Sequence, residues 1–405
     1  MTDSVQLVES VPSRVRLNEA QLRALEELAL KLAGQAAWWG SSEETPSSPR
    51  AVRIEARGDL QYDVTVLDAI GAIGLPNLVL RVTPKIPFEH FAYIARHAIG
   101  IHARTAASRV SLSSGSNFLE LMAQWFLDEV ETLVRYGLTR DYREVKEWAA
   151  SVRGSVVPTP TVERWLSGRA EMLTAYEKFD YDTPFNRILK AACRVLSNAE
   201  EIAETTRRRA ARSVRGMSEI GDLQSNDARE PFTRSTEHYR GAIELGMELM
   251  RGHIRGLGDG GQPFHTFLIK TPGLVETGLR NILSLGLAPV VVSKGGKVLL
   301  PSAVRANPDL LFGRFEVTGD VKYKIALGYW DRGDLAQAVF FAAAYKVKNA
   351  FILTFGGGTI PNIAPLEVGD ISVTRVTWDL SSSTQPEESA LRVVKELRRL
   401  CARSI

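Results

Sequence analysis

The sequence predicts an α/β protein in two parts, a mixed α and β region followed by a domain built in the order αβββαβ. Three observations carry this expectation. Segments of helical period alternate with segments of strand period along the whole chain. A glycine-rich break interrupts them at 256–263, and beyond it the order helix, strands, helix, strand is legible from the periodicity alone. The 405 residues suit two or three domains, and 44% hydrophobic with 24% charged residues is a folded, soluble composition, which disfavours disorder and fibrous structure.

Taken in order, leucines at 22, 25, 28 and 32 recur at helical spacing within 17–33, behind Asn18 as N-cap with Gln21 three residues on. The polar run 41–48, SSEETPSS, suits a loop, and 51–57 with 63–67 alternate as paired strands do. Segment 78–86, LVLRVTPKI, reads as a strand ended by Pro84, with a helix over 87–100 and a serine-rich loop at 108–116. A long helix spans 117–136 with Gly137 placed to stop it. Further helices are expected over 142–152, 184–196 and 205–215. The last of these, TTRRRAARSVR, reads as a solvated basic face, with phosphate contact as the alternative.

A loop over 216–235 and a helix over 237–257 lead to GLGDGGQP at 256–263. Four glycines and a proline do not fit inside a regular element, so the chain is divided there into 1–255 and 262–405. The second part then reads as a helix (273–285), strands (289–293, 297–301, 309–315, 316–325), a helix (333–346), strands (350–355, 371–380) and a closing helix (387–402).

Charge and cysteine content exclude several classes. Lys plus Arg number 50 against 47 Asp plus Glu, a balance that gives no bulk signal of a nucleic-acid surface. Two cysteines, Cys193 and Cys401, make neither a disulfide framework nor a zinc cluster. With no secretory leader pattern and no apolar run long enough for a bilayer, a cytoplasmic protein without membrane attachment is expected. No G-x-x-x-x-G-K-[ST] occurs, so NTP hydrolysis is expected to belong to another chain, and Gly356-Gly357-Gly358 reads as a turn. His90 and His97 lack a third ligand and read as core or surface residues, and Cys193 as an apolar helix-face residue.

The window 307–324, NPDLLFGRFEVTGDVKYK, carries chemistry. Asp309 opens one strand after Pro308, and Asp320 and Lys322, two apart on the next, point to one face. Two carboxylates and an ammonium then converge, as Mg²⁺-dependent phosphodiester hydrolysis requires: hard oxygen ligands for the ion, and a cation beside the attacking water. The Val321 carbonyl is a candidate further ligand. Glu276 on the preceding helix and Gln337 on the following one are placed to face the same site. A lone D-x-K is usually a surface pair. The Pro-Asp eleven residues earlier, in the right element order, lifts this one above that reading. The segment 182–190, DTPFNRILK, reads as a capped helix start, with Asp182 and Thr183 before Pro184, and as a buried polar joint between domains. Contact with a partner or DNA is the alternative.

The 307–324 window resembles the PD-(D/E)xK nuclease motif, and the chain at large is similar to the McrC family, the nuclease subunit of McrBC (type IV) restriction systems. The resemblance runs through VTPKI at 82–86, GLTRDYREVKEWAASVRGSV at 137–156, FDYDTPFNRILKAA at 179–192 and the nuclease block. Where the family usually has Asp-Ala-Lys-Tyr-Lys, this chain has Val321 at the second position. Lys270-Thr271 and Val275-Glu276 stand in place of an Asp-Met and a Phe-Glu pair, and Tyr345 lies eight residues beyond Gln337. The resemblance implies a restriction-endonuclease-like domain in which Asp309, Asp320 and Glu276 bind Mg²⁺, Lys322 activates water or stabilises the transition state, and Gln337 supports metal and water. It implies no other cofactor. As partners it implies an McrB-like AAA+ GTPase ring and double-stranded, methylated DNA, with the region 1–255 docking that ring and the loop 103–116 a candidate contact. Two rival expectations are a catalytically idle adaptor that stimulates a GTPase, and a stand-alone DNA-repair nuclease.

Overall fold

The computed structural model describes residues 3–34, 51–99, 118–199, 202–257, 263–301, 303–313, 317–357 and 363–402. The loops expected at 41–48 and 103–116, and Gly358, lie outside them. The chain forms two compact units, one from Met1–Phe118 with Gly252–Ile405 and the other from Leu119–Arg251. The division expected at 256–263 is therefore not where the units part. Strands flank that run instead and pair antiparallel, with Gly256 opposite Phe264 and Leu257 opposite Pro263. A glycine-rich stretch serves to join neighbouring strands as readily as to join domains.

The first unit opens with β1 (Asp3–Val8), β2 (Ser13–Arg16), α1 (Glu19–Gly34), β3 (Val52–Gly58), β4 (Gln61–Val66), β5 (Ala69–Leu75), β6 (Leu78–Thr83) and α2 (Phe88–Ala98). The expected capping box starts α1: Gln21 N donates to Asn18 Oδ1 at 2.9 Å and Asn18 N to Gln21 Oε1 at 3.0 Å. Strands β2, β4 and β3 form a small antiparallel sheet. Its Val15, Val52, Val64 and Val66 pack with Leu25, Leu28 and Leu32 of α1 in one core. Strand β5, AIGAIGL, is buried at every position, so it shows none of the alternation that marks a half-exposed strand.

The second unit holds α3 from Leu119 onward (the helix spans Phe118–Tyr136), β7 (Asp141–Ala149), β8 (Ser155–Val156), α4 (Pro158–Leu166), β9 (Met172–Asp180), α5 (Pro184–Ser197), α6 (Glu204–Gly216) and α7 (Arg240–Gly252). The helix expected over 142–152 is a strand: β7 pairs antiparallel with β9 along all nine of its residues, from Asp141 opposite Asp180 to Ala149 opposite Met172. Cross-strand pairing, such as Tyr142 against Phe179 at 4.8 Å between ring centres, stabilises it where burial does not.

The first unit resumes with β10 (His253–Leu257), β11 (Pro263–Lys270), α8 (Thr271–Leu287), β12 (Val292–Ser293), β13 (Lys297–Leu299), β14 (Val304–Ala306), β15 (Leu310–Phe312), β16 (Val317–Ile325), α9 (Arg332–Tyr345), β17 (Asn349–Gly356), β18 (Leu366–Val368), β19 (Ile371–Asp379) and α10 (Pro386–Ala402). The helix expected over 237–257 thus ends at Gly252 and continues as β10. Strands β1, β6, β5, β11 and β10 make a five-stranded sheet that draws on both stretches of the unit.

The second sheet has the order β12, β15, β16, β17, β19, β18, antiparallel up to β16 and parallel from β16 through β17 to β19. The expected order is realised as α8, β12, β15, β16, α9, β17, with the β13 and β14 hairpin inserted. Helix α9 covers one face, its Ala338 and Ala342 packed on Ala350, Ile352 and Val373. The alternate residues of β17, Phe351, Leu353 and Phe355, are fully buried on the opposite face. Gly319 on β16 has no room for a side chain, since a Cβ there would come within 2.2 Å of the Phe351 ring. No helix among the described residues is long and apolar enough to cross a membrane.

Candidate active site

Asp309 lies immediately before β15, and antiparallel pairing of β15 with β16 sets Leu310 opposite Gly319. The next residue along β16 is Asp320. The two acids are therefore brought together by register, and Asp309 is fixed there because its Oδ2 accepts from Val321 N at 2.9 Å. Asp320 is 3% exposed, so it needs a partner, and Lys322 Nζ lies 2.7 Å from its Oδ2. That oxygen is nonetheless left without a well-directed hydrogen bond, while the ammonium donates to Gln337 Oε1 of α9, also at 2.7 Å. The alternation expected along β16 and the outlying Gln337 thus meet at one ammonium.

Both carboxyls are pushed well above the aspartate range. Burial is the main cause for each; the charge of Glu276 adds to it for Asp309, and that of Asp309 adds to it for Asp320 against the opposing pull of Lys322. Glu276 stands on α8 close enough to bear on Asp309, yet no group of three His, Cys, Asp or Glu side chains among the described residues is gathered as a metal shell. Of the three carboxylates expected at the site, Asp309 and Asp320 adjoin, and Glu276 bears on Asp309 through its charge. One turn beyond Glu276, Arg280 donates from Nε to the Asp309 carbonyl at 3.0 Å. Nothing in the motif window pointed to Arg280; its spacing of four from Glu276 was the available signal.

The sequence model of the family described as "McrBC 5-methylcytosine restriction system component" matches residues 64–355. That span is well over half of the chain and holds every residue of the site. The chain belongs to the McrBC component family.

A curated relative, the type IV methyl-directed restriction enzyme EcoKMcrBC of Escherichia coli K12, is 22% identical over 187 residues, 45% of this chain and 54% of the relative. The match thus spans about half of that protein's length. Two solved structures share the fold. One is a half-complex from a tetradecameric assembly of Thermococcus gammatolerans McrB AAA+ hexamers with bound McrC (TM-score 0.65, 15% identity, covering 98% of this chain and 100% of that one). The other is the Thermococcus gammatolerans McrBC complex (TM-score 0.54, 14% identity, 99% and 100%).

Within this McrBC component, the VTPKI segment is tied to the strand that bears Lys322. Lys85 Nζ sits 4.2 Å over the ring of Tyr323, on the face of β16 opposite to Lys322, and 4.0 Å from Glu9. Glu9 is fully buried. Thr271 Oγ1 donates to its Oε1, whereas its Oε2 has no hydrogen-bond partner. Burial raises the Glu9 carboxyl despite the opposing pull of Lys85, and burial also raises the Tyr323 phenol. No sequence pattern announces this cluster, because Glu9, Lys85 and Tyr323 are far apart along the chain.

The DTPFNRILK segment is consumed by its own unit. Thr183 caps α5, accepting from Asn186 N. Arg187 is held by both Asp227 oxygens at 2.7 and 2.9 Å and by Asp182, and Lys190 Nζ donates to the Ile220 carbonyl. Asn186 bridges the carbonyls of Thr139 and Tyr181 and accepts from Tyr239. All three side chains are buried, so this is the polar joint, lying within one unit. In the basic helix α6, Arg207 and Arg208 pair with Glu204, and Arg209 with Asp128 and Glu131. His90 accepts from Trp378 Nε1 at 2.9 Å, a core role, and the buried Cys193 thiol is pushed up to about 12. Tyr345 receives Gly296 N at 2.9 Å and so holds the loop before β13.

Proposed function

We propose that this chain is the Mg²⁺-dependent endonuclease of a modification-dependent restriction system, a PD-(D/E)xK enzyme that works in the cytoplasm with an McrB-like AAA+ GTPase ring on methylated double-stranded DNA. One observation carries the reading: the buried pair Asp309 and Asp320 beside Lys322, itself oriented by Gln337. Glu276 completes the acidic surround.

The donor set fits Mg²⁺. Two hard carboxylates, one with a buried oxygen lacking a well-directed hydrogen bond, match an ion that prefers one or two protein carboxylates plus water and phosphate over a full protein cage. Asp309 and Asp320 would hold it, with the Val321 carbonyl and Glu276 nearby. When bound, Mg²⁺ supplies polarisation of the phosphoryl oxygen and neutralises charge at the reacting phosphorus.

The rest is done by the chain. Asp309 is aimed by the Val321 amide, so its free oxygen faces Asp320 without rotamer search. Lys322, fixed between Asp320 and Gln337, presents an ammonium where water attacks and where negative charge grows, and the Gln337 amide nitrogen remains available to hold that water. Partner binding is supported by the full-length likeness to a chain solved on McrB hexamers. The test is cleavage of methylated plasmid by the chain with its GTPase, GTP and Mg²⁺. Cutting that is lost in Lys322→Met supports the reading. GTPase stimulation without cutting by the wild type favours an adaptor, and cutting without partner or GTP favours a repair nuclease.

A further inference from the structure

We propose that Arg280 is a catalytic residue of this site, gripping the phosphate that is cut; the inference rests on the nuclease reading above. Arg280 lies on α8 and is anchored at one end only, by Nε to the Asp309 carbonyl at 3.0 Å. Its two terminal nitrogens are engaged by no acceptor among the described residues. The anchor fixes the plane of the guanidinium, so the remaining N–H donors form an oriented fork of the kind that takes two phosphate oxygens.

The surroundings give that fork a use. Arg280 is half-buried, so part of its guanidinium is already out of water. Its Nε engages the Asp309 main chain and not the Asp309 carboxylate. A cation held by Asp309 and Asp320 would offset the carboxylate charge nearest to Arg280. An anion drawn to that site would meet a half-buried, pre-oriented guanidinium on its α8 side and the Lys322 ammonium on its α9 side. A phosphodiester is the anion that this two-sided arrangement accommodates.

The experiment uses the assembled complex of chain, partner GTPase, GTP and Mg²⁺ on methylated plasmid, with single-turnover cleavage, GTP hydrolysis and thermal unfolding read for wild type, Arg280→Met and Arg280→Lys. Loss of a charge-assisted pair to the reacting phosphate slows cleavage by roughly 10- to 100-fold in Arg280→Met. Less is lost in Arg280→Lys, which keeps one positive charge but gives up the Nε anchor. GTPase stimulation, unfolding temperature and the Mg²⁺ concentration for half-maximal rate stay unchanged, and added guanidinium restores part of the rate to Arg280→Met. Cleavage by Arg280→Met within twofold of wild type overturns the proposal and leaves the nuclease reading intact. So does a loss that tracks lowered unfolding temperature, or one that saturating Mg²⁺ abolishes, since the arginine is then a structural prop or a charge balance for the acids. Absence of cutting by the wild type sinks the nuclease reading and this inference with it.

Discussion

Lys85 Nζ rests 4.2 Å above the Tyr323 ring, and that contact joins the N-terminal stretch of the first unit to the strand whose other face carries Asp320 and Lys322. The same ammonium is 4.0 Å from fully buried Glu9 and 3.7 Å from Asp68. Lys85→Met keeps the aliphatic stem and removes the charge. It is expected to cost on the order of 1–3 kcal/mol in stability, since a buried carboxyl loses its neighbouring cation. Urea unfolding of wild type and variant measures this, and a change under about 0.3 kcal/mol would show that the contact is incidental.

Site carboxyls that are hard to ionise make the ion-free fold sensitive to pH. Asp309 and Asp320 are raised from the ordinary aspartate range to about 6 and about 7. An acid raised in the folded state binds protons more tightly there than in the unfolded chain, so stability falls as pH rises from about 4 through about 7. In EDTA, the unfolding temperature is expected to drop across that window, and Mg²⁺ at pH 7.5 to restore part of it. A flat profile in EDTA would contradict the burial and crowding of these acids.

Asp320→Asn separates stability from activity. Replacing a buried carboxylate by a neutral amide removes the cost of ionising it, so at pH 7.5 without metal the variant is expected to unfold at a higher temperature than wild type, while its cleavage is lost. Differential scanning calorimetry beside a cleavage assay tests both halves. A less stable variant would mean that the Lys322 pair stabilises the fold more than ionisation costs.

In the second unit, Arg187→Met leaves Asp227 buried without its bidentate partner and removes one of the partners of Asp182. A loss of roughly 3–5 kcal/mol is expected, as for breaking one side of a buried pair. Circular dichroism of the full chain would show an early transition, and an unchanged melt would contradict the structural role given to DTPFNRILK.

Much of the first unit's second sheet was legible because period and order agreed: Asp320 and Lys322 alternate onto one face, and Gln337 falls one helix later, as the geometry has it. Other elements hid for physical reasons. Strand β5 is buried on both faces and so shows no alternation, whereas β7 is exposed on nearly all its residues, so its charges spaced like a helix misled. The run at 256–263 resembles a boundary because glycine content alone does not distinguish a strand connection from a linker. Glu9 and Arg280 escaped notice because each acquires meaning only from residues distant in sequence: Lys85, Thr271 and Tyr323 for one, Asp309 for the other.

The most direct test of the account is single-turnover cleavage of methylated and unmethylated plasmid by wild type and Asp320→Ala, each with the partner GTPase, GTP and Mg²⁺. Cutting of the methylated plasmid alone, reduced at least 100-fold in Asp320→Ala with GTP hydrolysis intact, is the expected result. Equal cutting by wild type and Asp320→Ala would contradict the assignment of Asp309, Asp320 and Lys322 as the site of phosphodiester hydrolysis.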